Sequence, residues 1–99
     1  MLRFSREYTK LKQPIFTTIR KNTGHYKEGY TYRVKTPTES YTARCIGSTP
    51  IKKVDITESL ARFDADCFRY ELISMLEGWY GLDFNDLVLL TFWREFCLI

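Results

Sequence analysis

The stretch Leu87-Val88-Leu89-Leu90-Thr91-Phe92-Trp93-Arg94-Glu95-Phe96 constrains the fold more than any other part of the chain. Successive side chains of a strand point to opposite faces, so a run that is apolar at odd and even positions alike has to be covered on both sides. It predicts a central strand, and the preceding residues must supply its flanks and its cover.

Four earlier segments read as strands. Residues 2–5 form a short one. Residues 6–13 are polar, a helical turn or loop closed by Pro14, and a β-branched strand follows over 15–20. In that strand Ile15, Thr17 and Ile19 share one face, and Phe16, Thr18 and Arg20 share the other. Asn22-Thr23-Gly24 is turn chemistry. Residues 30–35 alternate aromatic, hydroxyl and charge like a half-exposed strand, and residues 36–40 turn the chain back. Residues 41–46 form the next strand, with Tyr41, Ala43 and Cys45 on one face and Thr42, Arg44 and Ile46 on the other. Pro50 limits its continuation.

Two helices are expected next. Thr57 is placed to cap the first, which runs to about Phe63. Asp64 or Asp66 then caps a second, in which Phe68, Leu72, Met75 and Trp79 recur at +4, +3 and +4, the spacing of a core stripe. Gly78 or Gly81 ends it, with Gly81 the first choice. The order of four strands, a helix pair and a last strand lacks the β-α alternation of a doubly wound sheet. It implies an α+β fold, a small curved sheet or barrel of about five strands with two short helices inserted before the last strand. Ninety-nine residues, 44% hydrophobic and 16% aromatic, make one domain over 1–99.

Charge and cysteine usage narrow the function classes. Residues 1–53 hold twelve Lys/Arg against three Asp/Glu, a net +9, and residues 54–99 hold three against nine, a net −6. A basic half either presents a face to phosphates or is neutralised by the acidic half on folding. Cys45, Cys67 and Cys97 form no CxxC pair and His25 is the sole histidine, so neither a zinc site nor another metal or cofactor is expected. The cysteines read as small buried hydrophobes. No apolar run reaches the ~20 residues of a membrane span, and residues 1–7 lack the apolar core of a secretory signal, so a cytoplasmic location is expected.

The densest polar chemistry lies in residues 15–29, a strand ending in Arg20 followed by the loop His25-Tyr26-Lys27-Glu28-Gly29. Arg20 can form a planar, bidentate fork to a base or phosphate, or bridge to the acidic helices. Thr18 is either a reactive hydroxyl or a strand threonine. His25 reads first as an exposed loop residue, and Asp64 and Asp66 read first as caps. Tyrosines interleave with cations at Tyr26-Lys27, Tyr32-Arg33 and Tyr41 with Arg44, a combination suited to unpaired RNA.

These residues resemble the ASCH domain of the PUA-like superfamily. Thr17-Thr18-Ile19-Arg20 followed by His25-Tyr26-Lys27-Glu28-Gly29 is similar to that family's G-x-K-[TS]-x-x-x-R stretch and "fK-x-G" loop. Val54-Asp55-Ile56-Thr57-Glu58, Trp79-Tyr80-Gly81 and an inward Phe92 extend the likeness along the chain. The motif's glycine falls on Gln13 and its lysine on Ile15. The resemblance implies a PUA-like barrel. Some members of the family are amidohydrolases acting on acylated cytidines through a lysine, a threonine and a helix carboxylate. Here those roles would pass to Thr18, to Lys10 or Lys12, and to Asp64 or Asp66, with Thr18, Lys12 and Asp66 the first choice.

With the motif lysine missing, the leading expectation is an RNA- or nucleotide-binding module using Arg20, His25, Lys27, Arg33 and Arg44. An ASCH-type amidohydrolase or nuclease is the alternative, and a protein-interaction domain built on the acidic helices is the third.

Overall fold

The computed structural model describes residues 2–4 and 8–95. Five strands form one sheet: β1 (Leu2–Arg3), β2 (Ile15–Lys21), β3 (Thr31–Lys35), β4 (Ser40–Ile51) and β5 (Leu87–Arg94). Two helices, α1 (Glu58–Ala65) and α2 (Arg69–Tyr80), lie between β4 and β5 in the chain, and 3-10 turns occupy Thr9–Lys12 and Lys53–Asp55. The spatial order is β1-β3-β4-β5-β2, with β1 parallel to β3 and every other pair antiparallel. The sheet curls into a half-barrel. Ser5, Phe96 and Cys97 lie outside the described residues.

β5 is central, as its composition requires, and pairs along its length with β2 and with β4. Its cover is less even than the sequence implies. Leu87, Val88, Leu90 and Phe92 are buried and Leu89 is half-buried, but Trp93 is 44% exposed. One face is therefore closed along the strand, and the other opens at its C-terminal end. The inner face gathers Phe16, Val34, Ala43, Cys45 and Phe92, all fully buried. The rings of Phe16 and Phe92 stack at 5.5 Å, and Tyr26 and Tyr32 meet Phe92 edge-on at 6.1 and 6.2 Å. Edge-to-face and offset-stacked rings place positive edges against negative faces, which adds to the area they bury.

β4 runs past the limit that Pro50 sets in the sequence. Its register with β3 ends at Arg44, and Cys45 still exchanges backbone hydrogen bonds with Gly29 and Tyr30; the residues beyond pair with β5, and a missing N–H on their open side breaks no ladder. A bulge between Cys45 and Gly47 re-aims the strand there, and a Cβ on Gly47 would sit 3.4 Å from the Thr91 side chain. Burial pushes the Cys45 thiol up, in keeping with a small core hydrophobe.

Helix signals are partly reassigned. The Thr57 hydroxyl accepts from the Leu60 N–H at 3.1 Å and caps α1. Replacing it with alanine is expected to lower unfolding free energy by about 1 kcal/mol in urea denaturation. Neither Asp64 nor Asp66 caps α2. Asp64 is inside α1, and Asp66 ends that helix in the left-handed region at φ 56°. The α2 N-terminus is served by Glu71, which accepts from Phe68 N–H at 3.2 Å, and by Glu58, which accepts from Arg69 N–H at 2.9 Å. Of the expected stripe only Leu72 is buried, and it works with Leu76; Phe68 and Trp79 stand 49% and 58% exposed. Gly81, at φ 103°, does end α2.

Candidate active site

The two sheet edges, β1 and β2, approach each other without a backbone ladder between them. Arg20 laces the gap. Its terminal nitrogen donates to the Arg3 carbonyl at 3.0 Å, its Nε donates to the Thr18 hydroxyl at 3.0 Å, and its guanidinium stacks 5.0 Å from the centre of the Phe4 ring. Among the described residues Arg20 has no carboxylate partner, so the bridge to the acidic helices does not form. Above this seam α1 packs against β2 and the first 3-10 turn. A cavity of about 720 Å³ remains, walled by the seam, the end of β3 and the two helices. Thr18, Arg20, Lys10, Asp64, Trp79 and Phe4 all line it.

Lys10 and Asp64 are its chemical centre. Both are buried, at 3% and 4% exposure, and Lys10 Nζ lies 3.2 Å from Asp64 Oδ1. The Thr17 hydroxyl donates to the same oxygen at 2.8 Å. A carboxylate out of water needs such partners, because an unpaired charge there is costly. The Lys10 ammonium also lies 5.1 Å from the Phe4 ring centre and 5.2 Å from that of Tyr8. Desolvation dominates its titration and pulls the amine below its ordinary value. Asp64 opposes that shift through charge and a hydrogen bond, and the Arg20 guanidinium adds to it.

Of the catalytic trio favoured by the sequence, Thr18 alone is in this cavity. Lys12 points outward and pairs with Glu39 at 3.4 Å, a carboxylate that also holds Arg94 at 3.1 Å. Asp66 accepts from the Thr9 backbone N–H at 2.8 Å and does not line the cavity. The alternatives weighed beside them, Lys10 and Asp64, are the ones brought together. One signal points to Asp64: Ala61 and Ala65 mark the buried face of α1, and Asp64 shares it, while Asp66 lies past the helix end.

The other basic residues disperse. Arg33 and Arg44 lie exposed on the outer face of the sheet, opposite Thr42 and Thr31 in register, and Arg33 Nε donates to Ser40. Arg20 projects from the face that also carries Phe16 and Thr18. His25 and Lys27 are exposed in the loop before β3, anchored where Lys27 N–H donates to the Tyr32 hydroxyl at 2.8 Å and Tyr32 donates to the His25 carbonyl. Among the described residues, these cations of the +9 half therefore share no single face. Part of the basic charge is neutralised by the acidic half, through Lys10–Asp64 and Lys53–Glu77.

No family model, curated protein or solved structure matches this chain. Its chemistry has to be read from the cavity itself. Among the described residues no three His, Cys, Asp or Glu side chains are grouped to hold a metal ion, and no helix is long and apolar enough to cross a membrane.

Proposed function

We propose that the chain is a small-molecule hydrolase that cleaves an amide on a nucleobase-sized substrate, the activity that its resemblance to ASCH domains implies. The observation that carries this reading is the buried Lys10 amine held against Asp64 in the same cavity as Thr18 and Arg20. The neutral Lys10 amine takes a proton from water as the water oxygen attacks the amide carbon. Thr18 hydroxyl and Arg20 N–H groups receive the developing oxyanion. The intermediate then collapses, the C–N bond breaks, and the Lys10 ammonium returns the proton to the leaving nitrogen. The products are a carboxylic acid and an amine. Asp64 is a positioning residue, aiming Lys10 and setting its proton affinity. Trp79, Tyr80 and Phe4 supply flat walls for a heterocycle. A volume of about 720 Å³ suits a small ligand better than a polymer.

Binding of RNA along the sheet is the weaker reading, because its proposed contacts divide between the outer face, the loop and the seam.

The test is release of acetate from cytidine acetylated on its exocyclic amine, followed by chromatography over a range of pH. The working form of Lys10 is the neutral amine, so the rate rises with pH through the Lys10 pKa, which burial holds below the 10.5 of an ordinary lysine. Asp64 holds that pKa up, so Asp64→Asn is expected to move the rising limb to lower pH. No turnover of any acylated nucleoside or nucleotide, or turnover that survives Lys10→Ala, overturns the assignment.

A further inference from the structure

Among the described residues, the cavity lining carries more positive charge than its one carboxylate balances. Besides Lys10 and Arg20 it includes Arg3 and Lys35, and that carboxylate, Asp64, is already engaged by Lys10 and Thr17. Arg3 and Lys35 are direct register partners across the β1–β3 ladder. Like charges placed opposite each other on a sheet repel. Among the described residues neither has a carboxylate within ion-pair distance. The Phe4 ring joins this rim to the reactive end, since it follows Arg3 in the chain and lies about equally far from the Lys10 and Arg20 charges, at 5.1 and 5.0 Å. Two unmatched cations side by side at the mouth of a cavity, with a guanidinium fork between them and the buried amine, form a receptor for an anion.

We infer that the substrate is a nucleotide and not a free nucleoside, its phosphate monoester held by Arg3 and Lys35 while its base rests toward Lys10 and Arg20. The inference deepens the hydrolase reading and rests on it for the orientation of the base, but the anion subsite is testable without turnover. Phosphate is offered by a mononucleotide as a monoester or by an RNA chain as a diester; the cavity's size commits the site to the mononucleotide.

The experiment is calorimetric titration of the chain with cytidine, with cytidine monophosphate and with a cytidine trinucleotide at low and raised salt. Cytidine monophosphate is expected to bind about tenfold or more tightly than cytidine, as charge-assisted hydrogen bonds to an anion imply. That preference should shrink with salt and be largely erased by Lys35→Glu and by Arg3→Glu. Both residues are exposed, and the Arg3 carbonyl that holds Arg20 survives the substitution. Equal binding of the two ligands, absence of binding by either, or a preference unaffected by both substitutions overturns the subsite. A trinucleotide that binds more than about tenfold tighter than the mononucleotide overturns the commitment to a mononucleotide. The two proposals fail separately. Phosphate-dependent binding without hydrolysis of any acylated substrate removes the reaction and keeps the subsite. Hydrolysis of acetylcytidine that a phosphate does nothing to improve removes the subsite and keeps the reaction.

Discussion

Lys10→Met should lower both stability and activity sharply, and a second substitution should separate the two effects. With the ammonium gone, Asp64 remains buried with the Thr17 hydroxyl as its remaining side-chain partner. Removing one member of a buried ion pair costs about 3–5 kcal/mol, because the other charge is left uncompensated. The hydrogen bond from Thr17 puts the expected loss near the lower end. Adding Asp64→Leu removes the stranded charge and fills its space with apolar atoms, so the double variant should recover most of the loss in urea denaturation. Its hydrolytic activity should not recover, since both variants lack the base, a loss of about 10²–10⁴-fold. A double variant no more stable than Lys10→Met would show that the pair is not the source of the cost. One that regained activity would remove Lys10 from the chemistry.

Phe92→Ala is expected to be the most destabilising truncation in the sheet. The ring is fully buried on the central strand, stacked on Phe16 and met by the edges of Tyr26 and Tyr32. Truncating a buried phenylalanine costs about 3–5 kcal/mol through lost transfer energy and the cavity left behind. A domain of this kind has only about 5–15 kcal/mol in total. The loss should be felt locally as well. Tyr26 would lose its floor, and the loop that it anchors should loosen, exposing the Lys27 N–H now bonded to Tyr32. Amide exchange at residues 25–29 should therefore speed up more than exchange in α1. Uniform acceleration through the chain would show that the loop is held independently of Phe92.

Much of the fold was legible because it rests on short-range periodicity. Alternation identified the two faces of β2 and β4, and the doubly apolar run identified β5 as central. Thr57 and Gly81 marked helix ends through chemistry that acts within one turn. Roles that depend on distant partners are not legible in this way. Pro50 limits the strand in sequence terms, because nothing local reveals that β3 does not extend beside it. Phe68 and Trp79 share the spacing of a core stripe yet stand exposed, because helical spacing shows that a stripe exists but not which residues of it meet a neighbour. Asp64 and Asp66 looked alike as caps, and only packing separates the one aimed into the cavity from the one tied to Thr9.

The candidate site divides in the same way. The sequence by itself determined that the chain is α+β, that its five strands precede and follow a helix pair, and that Thr18 and Arg20 share one face of β2. Those facts follow from side-chain period along a single element. The tertiary structure decided that Lys10 and not Lys12 meets the acid, that the acid is Asp64, and that Arg3 and Lys35 stand side by side. Thr17 and Asp64, 47 residues apart, converge only when the sheet curls and α1 closes on its edge. A charge is buried where its partner can reach it, and no property of either residue alone specifies that meeting.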